Sequence, residues 1–196
     1  MNIVLKTAGG RTIVRPDTTW EKNSGDFFPP DSVDNVTWTP VMFLRCAKPG
    51  RCIGRRFIPR YYDSLGFGML LYPENMIDGS EEGFATASCL DHTSSLPIPL
   101  FPLQAAGDKA NCFSVLKDGA QIFICRPGEA SPAGTVGLPM MESVLEETSR
   151  MVYLRKGDFI AAELLRRSLL LSRGESPARV TATFCGSTVL DFEIRF

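Results

Sequence analysis

A chain of 196 residues with 44% hydrophobic side chains is long enough to bury a sizeable core in one domain. Its 21 basic and 22 acidic residues leave a net charge of −1, which offers no basic surplus for nucleic acid. No apolar run of about 18 residues could span a membrane, and residues 1–6 lack the apolar region of a secretory signal. Six cysteines without a Cys-x-x-Cys pair are typical of reduced thiols. We therefore expect a single-domain cytoplasmic protein that contacts neither nucleic acid nor membrane.

The N-terminal fifth of the chain predicts β structure followed by irregular but ordered backbone. Short β-branched runs at 3–5 and 12–14 flank a Gly-Gly pair, a pattern that favours a hairpin. Residues 16–40 are rich in polar residues and proline yet include four large aromatic rings, which argues against disorder. These rings could pack on the core or on a partner subunit, and the core is the more ordinary place. We treat 1–39 as an irregular β and aromatic-rich segment and 40–196 as the core of the domain.

The middle of the chain predicts buried strands separated by charged loops. Val41–Leu44 and Phe67–Tyr72 are apolar runs bounded by turn residues, as buried strands are. The basic stretch 45–60 could bind an anionic ligand, although such a run is more often a solvated loop. Residues 83–90 are also interpreted as a strand.

The C-terminal half has the clearest periodicity. Asp118-Gly119 between two apolar runs predicts a hairpin over 113–125. Apolar residues at helical spacing predict a helix over 141–152, which Gly157 follows. Residues 161–171 fit either helix or strand. Alternating residues predict a last hairpin over 179–196. The expected fold class is α+β, mainly β, with a twisted mixed or antiparallel sheet.

Two clusters of polar residues could carry chemistry. The run Cys89-Leu90-Asp91-His92 could be half of a zinc site, or a nucleophile beside its base. Zinc needs two further ligands and the chain has no second Cys/His pair, so a buried cysteine beside a turn is the more ordinary interpretation. The acids between 74 and 82 could bind a cation, but clustered acids between strands are usually solvated.

Several segments, taken in order, resemble one known family. Leu154–Ile160 (LRKGDFI) is similar to that family's Thr-Leu-Lys-Pro-Gly-Asp-Leu-Ile, and Leu190–Arg195 is similar to its closing strand. Upstream, Pro40–Arg45 resembles Pro-Val-Ile-Phe-Leu-Lys, and Gly83-Phe84 with Leu90–Thr93 resembles Gly-Phe followed by Asp-x-Thr-Ala-Arg-Asp. The family is that of fumarylacetoacetate hydrolase, and the resemblance covers residues 40–196.

This resemblance implies a usually homodimeric enzyme that binds Mg²⁺, Mn²⁺ or Ca²⁺ and acts on small diketo or oxo acids. In the family a Tyr-Glu-x-Glu-Leu strand and a later Asp supply the hard oxygen ligands that such cations need. The matching strand here places Gly68 and Leu70 where the two glutamates should be, so at most Asp91 remains as a ligand. An alignment shifted to Asp63 recovers one acid but puts Leu65 at the second position.

Other elements of the family's site are also absent or displaced. His92 is the only histidine and does not match the family's N-terminal catalytic histidine, and Lys109 is a weak match for its active-site lysine. Residues 162–165 replace its Thr-Gly-Thr-Pro loop. We therefore expect a degenerate relative of the family that has no cofactor. It would act by assembly, usually as a homodimer, or by binding a small anionic ligand. One alternative is an active metal-dependent hydrolase, decarboxylase or isomerase that uses Asp91 with Asp63 or Glu74. Another is a β-rich structural protein whose resemblance is accidental.

Overall fold

The computed structural model describes all 196 residues, which form fourteen strands and two α-helices. The strands are β1 (Asn2–Lys6), β2 (Thr12–Pro16), β3 (Trp20–Glu21), β4 (Asn35–Cys46), β5 (Tyr62–Pro73), β6 (Ser94–Ser95), β7 (Phe113–Lys117), β8 (Ala120–Cys125), β9 (Ala130–Ser131), β10 (Gly134–Thr135), β11 (Phe159–Glu163), β12 (Ser168–Ser172), β13 (Ala178–Phe184) and β14 (Ser187–Ile194). The α-helices are α1 (Glu81–Ala87) and α2 (Leu138–Met151). Short 3₁₀ segments are Asp17–Thr19, Arg55–Arg60, Glu74–Met76 and Leu103–Ala106. Neither α-helix has the length and apolar composition needed to cross a bilayer.

Eight strands form the main sheet, which is mixed. Its order is β2-β1-β11-β4-β5-β6-β3. The eighth strand, β12, pairs with the first half of β4, on the same edge where β11 pairs with the second half. The β1–β11 and β3–β6 pairs are parallel and the others are antiparallel. The long β4–β5 pair, which runs from Val36 opposite Pro73 to Cys46 opposite Tyr62, is the centre of the sheet.

A buried arginine shows that this sheet is curled. Arg15 lies on β2, at one end of the strand order, yet its Nη2 donates to the Leu71 carbonyl oxygen on β5 and to the Thr93 side chain next to β6. A strand at one end of a flat sheet could not contact strands near the other end, because neighbouring strands are about 4.8 Å apart. The curl gives the sheet an inner and an outer face.

The outer face carries the larger core. A second, antiparallel sheet of order β14-β13-β7-β8 and helix α2 supply the other side of this core, which contains 37 buried residues. Helix α2 contributes Met141, Val144 and Leu145, which are buried on one face. A stacked pair of rings, Phe67 from β5 and Phe113 from β7, joins the two sheets with centroids 5.1 Å apart.

The inner face holds a smaller core of nine buried hydrophobic residues. They come from alternate positions of four adjacent strands and the segment after β6: Ile3, Leu5, Val41, Phe43, Leu70, Tyr72, Leu96, Phe159 and Ala161. Because successive residues of a strand point to opposite faces, Gly66 and Gly68 lie on this inner face with Leu70 and Tyr72. This face is where the resemblance places the metal ligands.

Most of the sequence-based elements are confirmed. The N-terminal hairpin is β1–β2, the Asp118-Gly119 turn joins β7 to β8, and the last hairpin is β13–β14. Both turn residues have positive φ, 51° and 80°, as a tight hairpin turn requires. The helix over 141–152 is α2, which begins earlier, at Leu138. In the ambiguous stretch 161–171, residues 161–163 belong to β11, residues 168–171 belong to β12, and 164–167 form the loop between them. The mainly β, mixed sheet is as expected.

Two interpretations were wrong. Residues 83–90 are not a strand, because 81–87 form helix α1, whose N-cap Ser80 accepts a hydrogen bond from the Gly83 N–H. The two glutamates of the first turn also favour the helix. The stretch 35–40 is not irregular but is the first half of β4. Pro40, which lacks an N–H, is tolerated in this central strand because it lies between the parts of β4 that pair with β12 and β11.

Candidate functional site

A polar cleft of about 820 Å³ lies at the end of the inner face where β5 and β11 finish. This volume is within the range of small-molecule sites. Its walls come from the β1–β2 turn, the start of β4, the residue after β5, helix α1 and the β11–β12 loop. The lining residues are Thr7, Ala8, Gly9, Arg11, Asn35, Thr37, Glu74, Phe84, Glu163, Arg166, Arg167, Ser168 and Leu169.

A buried carboxylate forms the floor of this cleft. Glu163 ends β11 and is only 3% exposed. Its Oε1 accepts a hydrogen bond from the Tyr72 hydroxyl at 2.8 Å, and its Oε2 accepts one from the Ala8 N–H at 2.7 Å. Burial raises the pKa of Glu163, while the two hydrogen bonds and the nearby arginines Arg167 and Arg15 oppose that shift. The strand therefore presents a fixed carboxyl group to the cleft.

Tyr72 connects Glu163 to the buried cation Arg15. The guanidinium carbon of Arg15 is 4.8 Å from the centroid of the Tyr72 ring, and both side chains are fully buried. Burial and the Glu163 charge raise the pKa of Tyr72, so its hydroxyl remains a donor at neutral pH. The Nε and Nη1 atoms of Arg15 have no hydrogen-bond partner. The floor of the cleft thus rests on a buried group whose positive charge is only partly satisfied.

Arg167 is the best-placed cation in the cleft wall. Its guanidinium carbon lies 5.2 Å from the Tyr72 ring centroid and 5.3 Å from that of Phe84. These two rings stack with centroids 5.8 Å apart, so they hold the guanidinium in place. Its Nη1 is buried without a hydrogen-bond partner, because the nearest carboxylate oxygen, Glu74 Oε2, is 3.6 Å away and accepts from the Thr37 hydroxyl instead.

The charges of the cleft favour an anion. Three arginines, Arg11, Arg166 and Arg167, face two carboxyl groups, Glu74 and Glu163. Arg167 keeps a donor without a hydrogen-bond partner, and the arginines outnumber the carboxyl groups. A planar guanidinium with free N–H groups suits a carboxylate or phosphate.

The inner-face positions of the expected metal ligands do not fit a metal. Leu70 is fully buried among hydrophobic side chains of the smaller core. At its far end this core contains the edge-to-face ring pairs Phe43–Phe159 and Trp20–Phe159, with centroids 5.1 Å and 5.2 Å apart. Divalent cations of this kind need several oxygen ligands. No three His, Cys, Asp or Glu side chains come together in an arrangement that could hold an ion.

Gly68 has no room for a side chain at all. A Cβ placed on it would lie 2.3 Å from the Ser95 carbonyl oxygen, which is backbone of β6. The neighbouring inner-face glycine, Gly66, is similarly closed, because its Cβ would lie 2.3 Å from the Phe43 ring. Glycine in a strand often marks such a close approach of another backbone or a bulky ring. The strand that should carry the ligand pair is therefore packed against its neighbours.

Of the other acids and bases singled out from the sequence, only Glu74 reaches the cleft at the end of the inner face. Asp91 and His92 are exposed and line a separate cleft of about 600 Å³, together with Glu21 and Cys89. His92 Nδ1 lies 3.2 Å from Glu21 Oε2, and no hydrogen bond joins it to Cys89. Asp63, from the shifted alignment, forms a two-pronged ion pair with Arg45 at the surface.

The cleft lined by Arg11, Arg166 and Arg167 is called the arginine cleft below. Lys109 and the basic stretch 45–60 also lie outside it. Lys109 is exposed in a turn before β7 and lines neither of these two clefts. In the basic stretch, Arg55 binds the exposed face of α2, and Arg56 and Arg60 lie over the Phe57 ring. All six cysteines are free.

The sequence analysis missed the residues that form the cleft floor. Arg15, Tyr72 and Glu163 each stand at or near the end of an apolar strand, and Arg167 follows β11 in the connecting loop. A charged or hydroxyl-bearing residue that ends a strand buried on both faces is a usable signal, because it reaches the edge of the core. No local motif could show that these three strand ends meet.

Comparison with solved structures places this fold. The chain superimposes on a protein of the fumarylacetoacetate hydrolase family from Yersinia pestis CO92 with a TM-score of 0.77 and 14% identity, covering 99% of this chain and 92% of the other. Fumarylpyruvate hydrolase from Pseudomonas aeruginosa, in complex with Mn²⁺ and pyruvate, gives a TM-score of 0.74 at 12% identity, with 100% and 88% covered.

A third match extends to an isomerase. The 5-carboxymethyl-2-hydroxymuconate delta-isomerase from Mycobacterium smegmatis gives a TM-score of 0.75 at 14% identity, with 98% of this chain and 76% of that chain covered. No family model and no curated protein matches the sequence. The chain therefore has the fold of fumarylacetoacetate hydrolase family proteins, as the sequence resemblance implied.

Proposed function

We propose that this protein is a non-catalytic relative of the fumarylacetoacetate hydrolase family that binds a small carboxylate anion without a divalent metal. The observation that carries this proposal is that the inner face is closely packed where the metal ligands would lie. Where the resemblance calls for two glutamates, the strand has Gly68 and Leu70, closed by the β6 backbone and by the hydrophobic core. A packed apolar face cannot hold a hydrated cation, because burying a charge without oxygen ligands is strongly unfavourable.

The arginine cleft supports the binding part of the proposal. It lies at the end of the same inner face. Glu163 ends β11 and belongs to residues 162–165, which stand in place of the family's Thr-Gly-Thr-Pro loop. Arg167 has a buried N–H without a hydrogen-bond partner, and the rest of its side chain is partly exposed in the cleft. A carboxylate bound there would pair with the partly exposed guanidinium of Arg167.

Pyruvate is the natural first probe, because the Pseudomonas aeruginosa enzyme of this fold is in complex with Mn²⁺ and pyruvate. We expect calorimetry or NMR titration to show saturable pyruvate binding that is the same with and without Mn²⁺. Replacing Arg167 by glutamine should weaken that binding by roughly tenfold or more, which is the usual worth of a charge-assisted hydrogen bond.

A matched control is Arg179→Gln. Arg179 is a surface arginine that pairs with Asp191 on the second sheet, so its loss should leave pyruvate binding unchanged. Two results would overturn the proposal. One is saturable Mn²⁺ or Mg²⁺ binding that Asp91→Ala abolishes, and the other is the absence of pyruvate binding to the intact protein.

The family resemblance also makes a homodimer part of the proposal. Sedimentation velocity of the full chain tests it, and a monomer at micromolar concentration would contradict it.

A further inference from the structure

A second cleft adjoins the arginine cleft. This second cleft, of about 590 Å³, lies between β2, α1 and the end of α2. Arg11 and Phe84 line both clefts, so they form the wall or passage between the two. One elongated ligand could therefore occupy both.

Half of the twelve residues that line the second cleft are hydrophobic. Ile13, Val14, Phe84, Ala85 and Met151 contribute hydrophobic surface. Val14 is 41% exposed and Met151 is 63% exposed, which is high for large apolar side chains that adjoin a charged site. Exposed apolar surface rimmed by polar groups is typical of a binding surface.

A salt bridge spans the junction between the two clefts. Arg11, in the β1–β2 turn, lies 3.0 Å from Glu81 on α1, and both side chains are well exposed. An exposed pair of this kind contributes little to stability and rearranges at low cost. The aliphatic stem of Arg11 can also cover an apolar chain while its guanidinium remains in water.

We propose that the ligand of the arginine cleft is a carboxylic acid with an unbranched apolar tail, which lies past Phe84 in the second cleft. This inference rests on the proposed function, because the carboxylate head is the anion that Arg167 would bind. Charge complementarity fixes the orientation. The head meets the arginines, whereas Glu81 and Glu147, which line the second cleft, would repel a second anionic group there.

A series of straight-chain carboxylates tests this inference. Acetate, butanoate, hexanoate and octanoate are titrated into the full chain and followed by NMR. Each added methylene should tighten binding by about two- to fourfold as it leaves water, so octanoate should bind at least about 50-fold more tightly than acetate.

Filling the second cleft should remove the dependence on chain length. Ala85 is exposed on α1 and lines only this cleft, so Ala85→Trp should leave acetate binding unchanged and bring octanoate close to acetate. Thr86→Trp is the matched control, because Thr86 is exposed on the same helix and lines neither cleft. Met151→Gln provides a second variant at the opposite wall and should weaken octanoate alone.

The outcomes separate this inference from the proposed function. If pyruvate and acetate bind but affinity does not rise with chain length, the tail site is wrong and the anion site remains. If Ala85→Trp and Thr86→Trp affect octanoate equally, the tail does not lie in this cleft and the inference is refuted. If neither pyruvate nor any carboxylate binds, the proposed function fails and this inference fails with it.

Discussion

Replacing Gly68 by alanine should destabilise the protein, although such a change usually stabilises a chain. Where the backbone tolerates it, Gly→Ala adds about 0.4–1 kcal/mol by restricting the unfolded state. Here the new Cβ would lie 2.3 Å from the Ser95 carbonyl oxygen, whereas ordinary contacts begin at about 3.4 Å. The β6 backbone must therefore move by about 1 Å, and overpacking of this kind costs about 1–3 kcal/mol. We expect a net loss of about 1–2 kcal/mol.

Urea unfolding at neutral pH, followed by fluorescence, measures this loss. Gly54→Ala is a suitable control, because Gly54 is exposed in ordinary extended backbone with φ of −70°, and its Cβ would meet only Phe57, at 3.8 Å. The control should be as stable as the wild type or slightly more so. If Gly68→Ala were also neutral, β6 would not close this strand, and the argument against a metal at this face would lose its steric basis.

The same packing predicts the effect of restoring the family's acids. Gly68→Glu combined with Leu70→Glu would add two carboxylates to a face with neither room nor cationic partners for them. We expect a loss of several kcal/mol, from the transfer of unpaired charge into the core. The double variant should unfold rather than gain Mn²⁺ affinity. A folded variant that binds Mn²⁺ would contradict this.

Three further predictions follow from buried groups. Asp158 is fully buried and accepts two backbone N–H bonds, so Asp158→Ala should cost about 2–4 kcal/mol in urea unfolding, and a loss below 1 kcal/mol would contradict it. Burial raises the pKa of Glu163 in the folded protein above its ordinary value of 4.5. The protonated carboxyl therefore contributes to the free energy of unfolding below pH 4.5, and this contribution is lost as the pH rises through the folded pKa. Glu163→Gln should therefore gain stability relative to the wild type over that window, and a difference independent of pH would be evidence against it. Burial raises the pKa of Cys46 to about 11 and that of Cys125 to about 12, so an aromatic disulfide reagent at pH 8 should modify the exposed Cys52 and Cys89 before these two, and equal rates would refute this.

The parts of the fold that were predictable depend on local signals. Asp118-Gly119 specifies its own turn, and the apolar spacing of α2 is visible without any knowledge of its partners. Helix α1 was missed because its seven residues have little periodicity, so that its N-cap Ser80 and the two glutamates after it were the only indications. The full length of β4 was not predicted, because Pro40 lies in the middle of it. The proline is tolerated because β12 and β11 pair with β4 on either side of it, along the same edge.

The candidate site was less predictable, because it depends on long-range contacts. Tyr72 and Glu163 are 91 positions apart, and Arg15 is 56 positions from the Leu71 carbonyl that it binds. Nothing in the sequence near any of these residues indicates the other two. The loss of the acids at Gly68 and Leu70 could be proposed from the sequence resemblance, but the reason that a side chain cannot return to Gly68 required the position of β6.

The pairing of β4 on both edges has a consequence for the motions of the cleft. Its amides are bonded to β5 along one edge and to β11 and β12 along the other, so they should be among the slowest to exchange with solvent deuterium. Thr37, Tyr72 and Glu163 belong to this slow unit, whereas the turn at 7–11 and the loop at 164–167 belong to the rim. The floor should therefore keep its geometry when a ligand enters, without partial unfolding of the sheet.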